Sequence, residues 1–266
     1  VHPAAAFADL SHDELVAAGE AIATPLDLAA TRPLGRTILD AVAASRLVTR
    51  SNANLGIVLA IAPLAAVPDG AAPSPAAAAV VLAATTPDDA RDVYMAIALA
   101  NPGGMGRRDQ WDIDGPAPAS LLDAMHAAAD RDQIARLWAR GYAPLFAGPV
   151  ADIAGEIERG LPLGVAIERG HLMQLAREPD TLIARKHGLA AARDASARAA
   201  AVLAAGQAWP AEAAELDRFL REHAMNPGTT ADLVAAALYI LLATDRLTSL
   251  LGDSPTIDST LRANPT

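Results

Sequence analysis

Apolar residues recur at helical spacing almost from end to end of the chain, and no stretch sustains the two-residue alternation of a half-buried strand. Pro and Gly mark most of the interruptions. The pattern predicts helices at about 13–23, 36–50, 54–66, 74–84, 88–100, 119–129, 131–140, 149–159, 163–176, 181–205, 211–223 and 229–243. Roughly a dozen helices in one unit covering 1–266 make an all-α, irregular multihelical bundle the expected fold. Ser11, Thr86-Pro87-Asp88 and Asp180-Thr181 carry the chemistry of helix starts. Between two helical segments, Asn101–Pro118 is rich in Gly, Asp and Pro and holds Trp111. It reads either as a flexible cover over a site or as a connector anchored by one aromatic.

Composition narrows the chemistry. About a quarter of the 266 residues are alanine, and hydrophobic residues reach 52% while aromatics stop at 3%. A core of small side chains requires close approach between elements, which packed helices achieve more readily than sandwiches or barrels. Cysteine is absent, which excludes disulfides, a thiol nucleophile and thiolate metal sites. The net charge of −10 argues against non-specific binding to nucleic acid or anionic membrane, yet leaves room for a local basic pocket. No apolar run reaches the roughly 18–20 residues of a membrane span, and the first residues show no signal-like pattern, so a cytoplasmic protein is expected. Apolar helical faces are compatible with a homodimer.

Four polar clusters stand out against this background. In Ser51-Asn52-Ala53-Asn54-Leu55-Gly56 the two asparagines can cap a helix or present amides to a ligand, and Gly56 permits close backbone approach. In Pro87–Gly106, Asp88 and Asp92 lie one turn apart; carboxylates here either share Mg²⁺ or favour a helix first turn. The same segment ends in Asn101-Pro102-Gly103-Gly104-Met105-Gly106, which either cradles a phosphate with backbone N–H groups or stops the helix. The third cluster runs Pro179–Gly188: Arg185 can bind phosphate in a bidentate manner, His187 can donate or transfer a proton, and Lys186 reads as solvated. His171, upstream, either faces the same site or is a packed histidine. The fourth cluster, Met225–Tyr239, places Asp232 one turn inside an apolar helix that opens at Gly228-Thr229-Thr230. A buried charge there needs a cation, a metal or donors.

Taken in order, Asn52–Gly56, Ala98–Gly106, Pro179–Gly188 and Asn226–Leu233 resemble the motifs of the triphosphoribosyl-dephospho-coenzyme A synthase family, over about residues 50–243. The closer similarity is to the branch of archaea and one-carbon-metabolising bacteria. The citrate- and malonate-decarboxylase branches favour an Asn-Thr-His-type sequence where this chain has Asn52-Ala53-Asn54. Family members also carry a Lys-Pro-Gly-Asn-Val-type segment near the N-terminus; this chain begins Val1-His2-Pro3, and a short preceding segment is expected.

The resemblance implies an all-helical, ATP-dependent transferase of coenzyme biosynthesis that moves a ribosyl-triphosphate group from ATP to a hydroxyl of dephospho-coenzyme A, or of another cofactor precursor, with release of adenine. It places Asn52 and Asn54 beside the donor, Asn101, Gly103 and Gly104 near phosphate, and Arg185 on phosphate charge, with His187, Asn226 and Thr229 also on the nucleotide side. Asp89, Asp92 and Asp232 become candidates for Mg²⁺, and Asp92 and Asp232 for catalysis. Two other readings remain open to test: a metal-dependent nucleotide phosphohydrolase and a noncatalytic helical ligand-binding protein.

Overall fold

A computed structural model describes residues 11–103 and 110–251. The described residues are helical with no strand, arranged as α1 (His12–Asp27), α2 (Leu34–Val48), α3 (Leu55–Ala65), α4 (Pro75–Ala83), α5 (Pro87–Ala100), α6 (Leu121–Ala128), α7 (Gln133–Arg140), α8 (Ala143–Leu145), α9 (Ala151–Glu158), α10 (Leu163–Arg177), α11 (Thr181–His187), α12 (Leu189–Ala204), α13 (Trp209–Glu222), α14 (Gly228–Ala243) and α15 (Arg246–Leu251). The expected all-α multihelical bundle is the observed fold. One predicted helix divides: 181–205 breaks at Gly188, whose φ of +89° ends α11 and starts α12 in a new direction.

Two apolar cores organise the bundle. The larger gathers side chains from α1 to α10 together with α14 and α15, and the smaller joins α10 to α11, α12 and α13. In the larger, α3 is apolar all round and runs through the centre. Its Pro63 lacks an N–H, so the Leu59 carbonyl loses its intrahelical partner. The buried Trp138 indole on α7 supplies one, donating to Leu59 O at 2.8 Å, and Tyr142 donates to Ala60 O at 3.0 Å.

Close approach by small residues is realised at two crossings. A Cβ on Gly35 in α2 would lie 2.5 Å from the Asp89 Cα in α5, and one on Gly170 in α10 would lie 2.5 Å from Ile153 Cγ1 in α9. At the first crossing Asp89 is fully engaged. One carboxylate oxygen accepts from the Thr86 N–H and hydroxyl in a capping box, and the other accepts from Gly35 N–H at 2.7 Å.

Candidate active site

A cavity of about 890 Å³ lies where four helices begin. Residues of the first turns of α3, α7, α11 and α14 all reach its wall, among them Gly56, Ile134, Thr181 and Thr229. The dipoles of these helix starts favour anions, while side chains already take several of their first N–H groups: Asn52 on α3, Asp132 on α7, and Asp180 on α11 and α14. Arg131, Arg136 and Arg185 add full positive charge, set among Asp130, Asp132, Glu178 and Asp232.

Arg185, in the last turn of α11, donates its Nε–H to Gly103 O at 3.0 Å and pairs with Asp132 Oδ2 at 3.4 Å. Asp132 also caps α7 by accepting from Ala135 N–H at 2.9 Å, so one carboxylate both starts a helix and aligns an arginine. Arg136 pairs with Glu178 and donates to Ala129 O.

Below the cavity floor, Asp180 is completely buried and accepts four hydrogen bonds. The Leu182 and Ile183 N–H groups meet one oxygen, and the Thr230 N–H and hydroxyl meet the other. That clamp fixes the start of α11 against the start of α14. Beside it, Thr181 bonds both Gln133 and Thr229, tying α7 to the same junction.

Asp232 projects from the first full turn of α14 toward the start of α3. The Ile57 N–H hydrogen-bonds its carboxylate, and a Cβ on Gly56 would stand 2.5 Å from its Cγ. Asn54, the residue at the head of α3, makes no side-chain cap and donates instead to Ala18 O at 2.9 Å, while Asn52 Oδ1 accepts from Leu55 N–H. Asp232 therefore packs its carboxylate against the first turn of α3. Burial drives its carboxyl well above the usual range, the charges of Asp180 and Asp132 add to the rise, and Arg185 and the Ile57 N–H oppose it.

Of the residues singled out from sequence, Asn52, Asn54, Arg185, Asn226, Thr229 and Asp232 line this cavity. Asp89 and Asp92 do not: Asp89 spends its oxygens on Thr86 and Gly35, and Asp92 lies half-buried on α5 outside the wall. Asn101 ends α5 in a left-handed conformation with φ of 48° and also lies outside the wall, as does Gly103, which meets the site only through its carbonyl. His187 turns away to Ala224 O at 3.0 Å. Gly104 falls outside the described residues, as do Val1–Pro3. His171 lines no part of the cavity, and burial lowers its pKa to about 4.

Among the described residues, no three His, Asp or Glu side chains converge to hold a metal ion. The trio Asp89, Asp92 and Asp232 is thus not assembled, because the first is consumed in joining α2 to α5. That trio therefore does not form a resident ion site. Sequence reasoning passed over Asp132, Arg136 and Glu178; the one local signal was the position of Asp132 at a helix start.

The all-helical bundle, with its cavity at converging helix starts, matches a class of ATP-using transferases. More narrowly, the chain belongs to the CitG family, described as ATP:dephospho-CoA triphosphoribosyl transferase, whose model matches residues 1–250. It is also similar to a crystal structure from Archaeoglobus fulgidus described provisionally as a triphosphoribosyl-dephospho-coA synthase: TM-score 0.65, 25% identity, covering 87% of this chain and 97% of that one. No curated protein matches the chain significantly. Among the described residues no helix is long and apolar enough to cross a membrane.

Proposed function

We propose that this chain transfers a ribosyl-triphosphate group from ATP to a hydroxyl of dephospho-CoA, or of a related cofactor precursor, and releases adenine. The bond between ribose C1′ and adenine N9 breaks, with its electron pair leaving on the base, which takes up a proton. The acceptor hydroxyl oxygen bonds to C1′ and gives up its proton. ATP enters as its Mg²⁺ complex, the ion belonging to the substrate.

The chain's own groups divide the work. Arg185 holds triphosphate oxygens, with the dipoles at the starts of α3 and α14 in support, since a guanidinium is the donor a polyanion requires. Asn52 and Asn226 offer amides to the ribose, and Asn54 and Thr229 hold the backbone around them. Asp232 takes the acceptor proton and faces the positive charge that develops at C1′. The observation that carries the reading is the placement of Asp232: a carboxyl on the cavity wall, seated against Gly56 at the start of α3 in the same cavity as Arg185. The Asn52-Ala53-Asn54 sequence favours an acceptor from the one-carbon branch.

The purified chain, given ATP with dephospho-CoA and a panel of alcohol-bearing cofactor precursors, is expected to release adenine in step with acceptor consumption. Phosphate or pyrophosphate release without adenine would identify a phosphohydrolase, and binding without turnover a sensor; either result rejects the transfer.

A further inference from the structure

We infer that Trp111 is a stacking platform for the purine ring of a nucleotide substrate. The inference deepens the transfer reading and rests on it for the donor's identity.

The chain is poor in aromatics, with three each of Phe, Trp and Tyr. Trp138 and Tyr142 are 2% and 0% exposed in the larger core, whereas Trp111 lines the cavity and leaves 39% of its surface uncovered. An aromatic that merely anchored a connector would bury its ring. This one is held open, in a backbone conformation that bulky residues avoid: its φ is 52°, in the left-handed region. The conformation is pinned from below, because Tyr94, buried on α5, donates its hydroxyl to the Trp111 carbonyl at 3.1 Å. Residues held in such sparsely populated conformations cluster at binding and active sites, and this one lines the cavity.

The chemistry of the wall says what would lie on that indole. Ile97 of α5, Ile113 beside Trp111, and Leu121 and Met125 of α6 give an apolar stretch. The arginines and helix starts come from α7, α11, α14 and the ends of α3 and α6. Aromatic and apolar side chains together with arginines in one cavity suit a molecule with a flat heterocycle at one end and phosphates at the other. Both ATP and dephospho-CoA carry an adenine ring, so a purine is the shared chemistry.

Calorimetric titration of the full chain and of Trp111→Ala with Mg²⁺–ATP, ribose 5-triphosphate and dephospho-CoA separates the sources. Loss of one stacked base weakens binding by about 5- to 150-fold. The expected result is that loss for ATP, no change for ribose 5-triphosphate, near-complete recovery in Trp111→Tyr, and a smaller weakening in Tyr94→Phe. Weakening confined to dephospho-CoA would keep the platform and assign it to the acceptor. Unchanged binding of both nucleotides, or parallel loss of ribose 5-triphosphate, would overturn it. If wild-type protein binds neither ATP nor dephospho-CoA, both this inference and the transfer reading fail. If it binds dephospho-CoA alone, only the ATP-donor assignment fails, and the Trp111→Ala titration with dephospho-CoA decides the platform.

Discussion

The Asp232 carboxylate fills the space that any side chain on Gly56 would take, although the two residues belong to helices far apart in sequence. A methyl group at Gly56 must push the carboxylate out of its seat at the start of α3. Gly56→Ala is therefore expected to abolish most adenine release while leaving the far-ultraviolet helical signal intact. Overpacking of this kind costs about 1–3 kcal/mol, a modest drop in melting temperature. Turnover at the wild-type rate would show that the position of Asp232 does not matter.

Asp232 sets function against stability. Its carboxyl binds a proton more tightly in the folded chain than in the unfolded one, because burial and the neighbouring Asp180 and Asp132 penalise the charge. Its contribution is favourable below the ordinary carboxylate range and is lost as pH rises through the raised folded value. Asp232→Asn keeps an oxygen for the Ile57 N–H and removes the charge. We expect the variant to melt a few degrees higher than wild type at neutral pH, with a gap that closes on acidification. Its turnover should fall by about 10²- to 10⁴-fold, the usual weight of a general base.

Asp89 should behave as a structural residue. Asp89→Ala strips α5 of its capping box and leaves the Gly35 N–H unpaired between two helices. The cost is about 2–4 kcal/mol from a lost cap and a buried unsatisfied donor, measurable as a lower urea midpoint. The Mg²⁺ dependence of any residual turnover should match wild type. Asp92→Ala, outside the wall, should change stability by no more than about 0.5 kcal/mol.

Arg185 is expected to act on substrate affinity. Arg185→Ala removes a charged donor from the cavity, and a hydrogen bond to a charged group is worth about 1.5–3 kcal/mol. The KM for ATP should rise by about 10- to 100-fold with a smaller change in kcat. Lysine should rescue poorly, since it lacks the planar fork that reaches Gly103 O and Asp132 together.

The helices were legible in the sequence because alanine-rich, amphipathic segments bounded by Pro and Gly leave little choice of period. The break at Gly188 was not. Both flanks are good helix formers, and a single glycine inside a helix costs only about 1 kcal/mol, too little to announce a change of direction. At the site, Asp232 and Arg185 could be picked out because a lone carboxylate on an apolar helix and an arginine among caps are locally conspicuous. Asp89 is a metal candidate only through the family resemblance; its partner Gly35 lies 54 positions away, and only the fold brings them together. Asp132 was passed over for the same reason: its pairing with Arg185 spans 53 positions, while its local role is an ordinary helix cap.

The two apolar cores give the site an unusual address. Arg185 rides on α11, whose Ile183 is packed in the smaller core, and Asp232 rides on α14 beside Leu233 and Val234 of the larger one. The Asp180 clamp on Thr230 is the rivet between them. The distance from arginine to carboxylate is thus a dimension of the seam between two cores that share α10, set by neither core alone. A lesion that slackens the seam would detune the enzyme while both cores stay packed.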